Sequence, residues 1–506
     1  MTTGARTEPT LRTARVPGAA RALRAAAVLA TAVLAAAAAT VPAQAGPAGT
    51  ASLWDRTVRI STGPDGAQPD GGTRPTGLSA GGRWAVIDSD ATNLVPGDTN
   101  GLTDVFVRDQ LTGRTERVSL TAAGGQADGY SFDGVIDALG RNVVFTSSAA
   151  LVPEDTNGVE DVYLRDRWTG RTERISVGDP AREVPERYSS DPSISADGRY
   201  VAFASSRSDL VPDGTPYDRY NVYVTDRLRG TTRLITIGAD GSPANRPSFS
   251  PVISEDGRTV SFTSRATNLL PPAEGGGAGE SAEDAAEDAV VPVSGRSARR
   301  TAAVLPSGRS TDADAGIAKP RLYPFYVHDL GTGRTTGASL DETGALRGVN
   351  SGTVSPDGRL AVYSYLVPTG EPGGGWRPHL ELFVRDLRAG TVRRLPIERP
   401  GTLTTGHSYE PVIAPGNRWV YFTSSAHNLV EGDTNSAEDV FRHDLLTGRT
   451  ERVSVAADGA ESAGSSYGAV VGGLGTTVLF SSEDGTLVAG DTNGWTDAFS
   501  RRVLLF

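Results

Sequence analysis

The 506-residue sequence contains no cysteine, only one lysine (Lys319), and no apolar run beyond its first 45 residues that is long enough to span a bilayer. The missing cysteine excludes disulfides, a cysteine nucleophile and lipid attachment at a cysteine. The formal net charge is −11. This charge argues against nucleic acid, or an anionic membrane surface, as the main partner.

The N-terminus has the three parts of a secretory signal peptide. Arg12, Arg15, Arg21 and Arg24 precede an apolar run, Ala25 to Ala39, and an A-x-A site follows at Ala43 to Ala45. We therefore expect residues 1–45 to be a signal peptide cleaved after Ala45, with the mature protein secreted, extracellular or in the cell envelope, and without a membrane span. The alternative interpretation is an N-terminal membrane anchor.

A repeated unit dominates the rest of the chain. The stretch Asp98 to Ser119 recurs at Asp155 to Ser176 and at Asp433 to Ser454. Most units have an aspartate at the end of a V-x-R-D-like segment, and the last unit has Arg502 there. This recurring aspartate is found at Asp109, Asp166, Asp226, Asp329, Asp386 and Asp444. The spacings are 57, 60, 103, 57 and 58 residues, which indicates a repeat architecture with one insertion.

Within each unit, turn residues separate four strand-like segments; in the second unit these are 134–137, 142–147, 161–165 and 171–177. Four antiparallel strands repeated radially make a β-propeller. The last unit lacks its fourth strand, and Arg56 to Ser61 (RTVRIS) matches the missing segment. The sequence therefore predicts an all-β, monomeric, seven-bladed propeller over residues 46–506, with the last blade closed by the N-terminal strand.

The long spacing is explained by residues 271–320, within the fourth blade. This segment is rich in glycine, then acidic, then basic, and has no apolar periodicity. We expect a disordered low-complexity insertion, because such a composition buries too little apolar surface to offset the entropy of ordering.

Two segments carry a family resemblance. Ser193 to Ser205 (SISADGRYVAFAS) and Thr353 to Ser364 (TVSPDGRLAVYS) resemble the S-x-D-G-[RK] core of the WD-like repeats in TolB-type propellers. The resemblance implies a propeller that docks peptides or proteins at its channel mouth. The same repeat also forms the non-catalytic gate of some serine peptidases.

The motif D-T-N-[GS]-x-x-D occurs four times between the second and third strands. Its oxygen-bearing residues are Asp98, Asn100 and Asp104; Asp155, Asn157 and Asp161; Asp433, Asn435 and Asp439; and Asp491, Asn493 and Asp497. The spacing is similar to the first half of a calcium loop, although the distal glutamate of an EF-hand is absent. An Asx turn is the competing interpretation. Calcium is the one cofactor that this pattern suggests, and none is required by the fold.

The first strands of a propeller line its channel, and aromatic and acidic residues recur where these strands begin. The predicted ligand-binding mouth consists of Phe132, Asp133, Asp191, Phe249, Tyr409, Glu410 and Tyr467. A concave apolar surface with a few polar groups is typical of a ligand site. The alternative interpretation is that these aromatic residues pack between neighbouring blades.

The chain has no H-E-x-x-H motif and no cysteine nucleophile, and its five histidines are scattered. Whether the protein is an enzyme is therefore left open. The main hypothesis is a binding or scaffolding module for a protein or peptide. The alternatives are an extracellular hydrolase or lyase acting on peptide or polysaccharide, which a histidine–carboxylate pair at the channel would favour, and a calcium-stabilised structural protein.

Overall fold

The computed structural model describes residues 56–179, 187–212, 214–215, 219–272, 322–367, 379–402 and 404–504. The predicted signal peptide lies outside these residues, and so does the predicted insertion apart from residues 271 and 272. The described chain forms seven four-stranded antiparallel sheets, with one extra short strand attached to the fourth. The predicted seven-bladed propeller is thereby confirmed.

The first three blades follow the chain in order. Blade one contains β2 (Thr73–Leu78), β3 (Trp84–Ser89), β4 (Asp104–Asp109) and β5 (Thr115–Arg117). Blade two contains β6 (Ser131–Ile136), β7 (Asn142–Ser147), β8 (Asp161–Asp166) and β9 (Arg171–Arg174). Blade three contains β10 (Ser189–Ile194), β11 (Tyr200–Ser205), β12 (Asn221–Asp226) and β13 (Thr231–Leu234).

The remaining blades repeat this order. Blade four contains β14 (Ser248–Ile253), β15 (Thr259–Ser264), β16 (Tyr323–Asp329) and β17 (Thr335–Gly337), with the short β18 (Gly348–Val349) paired to β16. Blade five contains β19 (Ser351–Val354), β20 (Leu360–Val367), β21 (His379–Asp386) and β22 (Val392–Arg394). Blade six contains β23 (Ser408–Ile413), β24 (Trp419–Ser424), β25 (Asp439–Asp444) and β26 (Thr450–Arg452).

Blade seven joins the two ends of the chain. It contains β27 (Ser466–Gly472), β28 (Thr477–Ser482), β29 (Asp497–Arg502) and, as its outer strand, β1 (Thr57–Arg59). Strand β1 pairs antiparallel with β29, with Val58 opposite Ser500. The predicted closure by the N-terminal strand agrees with this pairing, in which β1 covers the outer edge of β29 and takes the place of the fourth strand of the other blades.

Helix is nearly absent from the described part of the chain. The described residues contain two 3₁₀ turns, Pro64–Gly66 and Gly473–Gly475. Among the described residues, no helix has the length and apolar character needed to cross a membrane.

The hydrophobic core lies between neighbouring sheets. Between blades one and two, for example, Val86 and Val105 pack with Val143 and Phe145, all fully buried. The second strands of blades two and six are buried along their whole length. A strand that is covered on both faces has a nearly continuous apolar sequence instead of alternating apolar and polar residues, which explains segments such as NVVFTS.

The first strands of neighbouring blades contact each other and form the inner ring, for example β2 with β6 and β23 with β27. We call the side on which they begin the mouth face; it also carries the loops between second and third strands. The opposite side, the turn face, carries the tight Asp-Gly and Thr-Gly turns. Gly198 and Gly257 occupy those turns with positive φ, as the Asp-Gly motif predicts.

Candidate functional site: the mouth face

A β-bulge interrupts the first strand of most blades at the mouth face. In blade two the register shifts between Phe132 and Val135, so the strand begins at Ser131, three residues before the predicted start at Gly134. Left-handed backbone occurs at this bulge in five blades, at Asp133 (φ 55°), Asp191 (φ 54°), Ser250 (φ 50°), Glu410 (φ 50°) and Gly468 (φ 71°). Blade five has no register shift in its first strand.

The bulges connect adjacent blades. The backbone N–H of Asp133 donates to Asp88 Oδ2 of blade one at 2.7 Å. The N–H of Glu410 donates to Ser351 Oγ of blade five at 2.9 Å, and that of Gly468 donates to Thr423 Oγ1 of blade six at 3.3 Å. The first strand of one blade is therefore held to the first or second strand of the preceding blade by hydrogen bonds as well as by packing, so the mouth is preorganised.

A cation and two carboxylates meet where blades one and two adjoin. Arg74 Nη2 lies 3.3 Å from Asp88 Oδ2 and 3.6 Å from Asp133 Oδ1. Burial raises the pKa of Asp88 despite the opposing charge of Arg74. The Arg74 side chain keeps 37% of its surface exposed, so it can contact a ligand while it pairs with the carboxylates.

Tyrosine and glutamate residues meet across blades six and seven. The Tyr409 hydroxyl donates to Glu438 Oε1 at 2.5 Å, and burial together with this hydrogen bond raises the pKa of Tyr409. Thr423 Oγ1 donates to Glu410 Oε2 at 3.4 Å. Tyr467 interacts electrostatically with both Glu410 and Arg74, which links this group to blade one.

The predicted mouth residues thus divide into groups. Tyr409, Glu410 and Tyr467 lie together, and Asp133 joins them through Arg74. Phe249 instead packs with Tyr220 and Tyr323. Phe132 and Asp191 are half-buried at the equivalent positions of blades two and three.

Our sequence analysis missed Arg74, Asp88 and Glu438. Arg74 takes the position in blade one that Phe132 takes in blade two, since they pair with Asp88 and Thr146 respectively. Aligning first strands by this register would have found Arg74. Glu438 lies six residues before the recurring Asp444, a position that the motif leaves variable.

An arginine from the fourth strand lies against each Asp-Thr-Asn loop. Arg117 Nη1 is 3.1 Å from both Asp98 Oδ1 and Asp104 Oδ2. The equivalent ion pairs are Arg174 with Asp155 and Asp161, Arg452 with Asp433 and Asp439, and Arg59 with Asp491 and Asp497. A guanidinium group thus lies close to the carboxylates proposed as calcium ligands.

The loops also form the Asx turn. Asn100 Oδ1 accepts from the backbone N–H of Leu102 at 3.0 Å, and Asn157 and Asn435 do the same with Val159 and Ala437. In the described parts of the chain, no group of three or more His, Cys, Asp or Glu side chains is placed to hold a metal ion. Calcium binding at these loops stays a prediction.

A histidine–carboxylate pair occurs in blade five, on the third strand rather than on the first strands of the channel. His379 Nε2 lies 3.0 Å from Glu381 Oε1, and Glu381 also pairs with Arg394. The backbone N–H of Leu380 donates to His407 Nδ1 at 3.1 Å, so this nitrogen is unprotonated. Burial, with His379 nearby, lowers the pKa of His407.

No protein-family model matches the chain, and no curated protein matches it. Solved structures similar to it include TolB from Acinetobacter baumannii, with 14% identity, TM-score 0.34, and coverage of 75% of this chain and 62% of TolB. An oligogalacturonate lyase from Vibrio parahaemolyticus shows 10% identity, TM-score 0.47, and coverage of 89% and 94%. An acylaminoacyl peptidase from Pyrococcus horikoshii shows 12% identity, TM-score 0.40, and coverage of 82% and 49%. These likenesses concern the propeller fold alone.

Proposed function

We propose that this propeller is a secreted or cell-envelope binding module that takes a protein or peptide at its mouth face. The observation that carries the proposal is the polar group where blades six, seven and one adjoin. Thr423 hydrogen-bonds Glu410 and the backbone beside Tyr467, and the partly exposed Arg74 pairs with Asp88 and Asp133. Tyrosine and arginine provide large contact area together with hydrogen-bonding groups, and both are enriched where proteins bind other proteins. The N-terminal signal-like sequence supports an exported location.

The test is affinity capture from the envelope and culture medium of the producing organism, followed by titration of the purified partner in a calorimeter. One bait is the unmodified protein, and another carries Asp191→Ala, Tyr409→Ala and Glu410→Ala. Because Tyr409 is buried, a milder bait with Tyr409→Phe and Glu410→Gln separates lost binding from lost folding. Leu446→Ala is the control, because this side chain is 79% exposed on the turn face.

We expect the wild type and the Leu446→Ala bait to capture the same partner, and both mouth baits to weaken binding at least tenfold. A partner that binds all baits equally would show that the mouth face is not the binding site. Capture of nothing above background by any bait would count against the binding function as a whole.

A second candidate is an extracellular hydrolase or lyase, for which His379 and Glu381 supply a histidine–carboxylate pair on the third strand of blade five rather than at the channel. A carboxylate that accepts from one imidazole nitrogen leaves the other nitrogen able to accept a proton, as a general base must. The test is a screen of peptide and polysaccharide substrates with the wild type and His379→Gln. Turnover that disappears in the variant would support the enzyme; turnover unchanged by it would exclude His379 as the base.

A further inference from the structure

Two adjacent blades carry a tyrosine at the residue that leads into the third strand. This residue lies six positions before the recurring aspartate, and in blades one to six it is Thr103, Glu160, Tyr220, Tyr323, Leu380 and Glu438. Only blades three and four carry an aromatic residue there.

The two tyrosines flank a third ring. The ring centroid of Phe249 lies 5.7 Å from that of Tyr220 and 6.5 Å from that of Tyr323, with interplanar angles of 40° and 34°. We call Tyr220, Phe249 and Tyr323 the aromatic wedge. The three rings are half-buried, whereas the core pair Phe262–Tyr326 of the same blade is buried and stacked at 19°.

The backbone holds the wedge in place. The N–H of Ser248 donates to the carbonyl of Tyr220 at 2.9 Å, which fixes the start of β14 against blade three. Phe249 pairs with Thr263 in the sheet of blade four. Arg265 lies with its guanidinium carbon 5.6 Å from the centre of the Tyr323 ring, a cation–π arrangement that supports that ring. A ligand would therefore meet rings that are already ordered.

We propose that the aromatic wedge binds proline residues of an extended peptide, a specificity that rests on the proposed peptide-binding function. Proline-rich segments adopt the polyproline II helix before binding, and they dock on grooves lined by aromatic rings. One turn of this helix contains three residues and advances about 9 Å. The rings of Tyr220 and Tyr323 lie within about 12 Å of each other, given their distances to Phe249. A polyproline II segment of about four residues is therefore long enough to reach across all three rings.

The experiment measures binding of fluorescein-labelled deca-proline to the full chain by fluorescence anisotropy. A peptide in which alternate prolines are replaced by alanine is the peptide control. Phe249→Leu and Tyr323→Leu keep an apolar side chain but remove the ring, and Tyr323→Phe keeps the ring. The mouth variant Tyr409→Phe with Glu410→Gln is tested in parallel.

We expect deca-proline to bind the wild type and Tyr323→Phe within about twofold of each other, and both leucine variants at least tenfold more weakly. The alanine-substituted peptide should bind more weakly than deca-proline. Undetectable binding of deca-proline, or equal binding by wild type and Phe249→Leu, would overturn the proposal. Competition by cello- or chito-oligosaccharides without any binding of deca-proline would overturn it in favour of a sugar site.

The same data separate this proposal from the proposed function. If a captured protein partner loses affinity for the mouth variant but not for Phe249→Leu, the mouth binds a partner and the wedge has no part in it. If neither deca-proline nor any captured partner binds, both proposals fail together.

Discussion

Arg59 and Asp497 are 438 positions apart in the sequence, and their side chains meet in blade seven with Nη1 3.2 Å from Oδ2. The same guanidinium lies 3.0 Å from Asp491 Oδ1. Ser61 Oγ adds a hydrogen bond of 2.6 Å to Asp497 Oδ1. The ring is thus closed by a charge-assisted contact in addition to the pairing of β1 with β29.

Replacing Arg59 by methionine should weaken the closed ring. Arg59 is 10% exposed and Asp497 1% exposed, so the substitution leaves nearly buried carboxylates without their cation. We expect the free energy of unfolding in urea to fall by about 3 kcal/mol. Arg56→Met is the control, because Arg56 is exposed, and should change it by less than about 0.5 kcal/mol. Equal effects of the two substitutions would contradict the role of Arg59 in closure.

The arginines beside the Asp-Thr-Asn loops give a test of the calcium hypothesis. If the guanidinium neutralises the loop carboxylates, the melting temperature of the wild type should be the same in calcium and in EGTA. Arg117→Met removes that charge from Asp98 and Asp104, so this variant should be stabilised by calcium. Arg114→Met, an exposed neighbour, should respond as the wild type does. A lower melting temperature of the wild type in EGTA would instead support calcium-stabilised loops.

The bulge predicts that substitution by glycine has opposite effects on the protein's stability in blade four, which has the bulge, and in blade five, which lacks it. Ser250 is exposed and has φ 50°, a conformation that costs an L residue about 1–2 kcal/mol. Ser250→Gly should therefore leave stability unchanged or raise it by up to about 1 kcal/mol, while Ser250→Val should lower it by about 1 kcal/mol or more. Thr353→Gly, in the first strand of blade five without a bulge, should lower stability by about 1 kcal/mol. Urea unfolding measures all three, and destabilisation by Ser250→Gly would count against strain at the bulge.

The repeat explains which features the sequence could predict. The match between Arg56–Ser61 and the fourth-strand motif indicated the closing strand, because both segments carry the same alternation. The bulge was not predictable, because the left-handed residue there is aspartate in blades two and three, serine in blade four, glutamate in blade six and glycine in blade seven. The arginine that pairs with each Asp-Thr-Asn loop belongs to the fourth-strand segment of the repeat. Its ion-pair partners depend on the sheet register, which places Arg117 opposite Phe106.

The contacts of the aromatic residues at the mouth also could not be predicted from the sequence. Tyr409 and Phe249 occupy equivalent positions, yet one hydrogen-bonds Glu438 and the other packs between two tyrosines. The difference comes from the residue that precedes the third strand, which is two strands away in the sheet. A pattern read along one strand cannot show this neighbour.

Mild acid should destabilise the fold through His443. This residue is 1% exposed, and burial, with Arg393 nearby, lowers its pKa to about 4 from an ordinary value of 6.5. The unfolded chain therefore binds this proton more readily, so the stabilisation is complete above pH 6.5 and is lost as the pH falls towards 4. Between these values the loss is on the order of 1 kcal/mol per pH unit.

Urea unfolding at pH 7.0 and pH 5.0 measures this effect. His443→Gln cannot titrate, so its stability should fall less between the two pH values than that of the wild type. His328, with a pKa near 4 caused mainly by burial, predicts the same behaviour for His328→Gln. Identical pH dependence of the wild type and both variants would show that these histidines do not govern acid stability.

Strand β1 belongs to blade seven but continues along the chain into blade one. The backbone therefore crosses all seven boundaries between blades, and the only interruption of the ring lies inside a sheet, between β1 and β29. Neighbouring blades therefore cannot separate and open the ring unless the hydrogen-bonded pairing of β1 with β29 is broken first. In blade seven, one hydrogen-bonded strand pair is enough to join the two ends of the chain. A circularly permuted chain could therefore have its two ends inside any of the other six blades and keep the same ring.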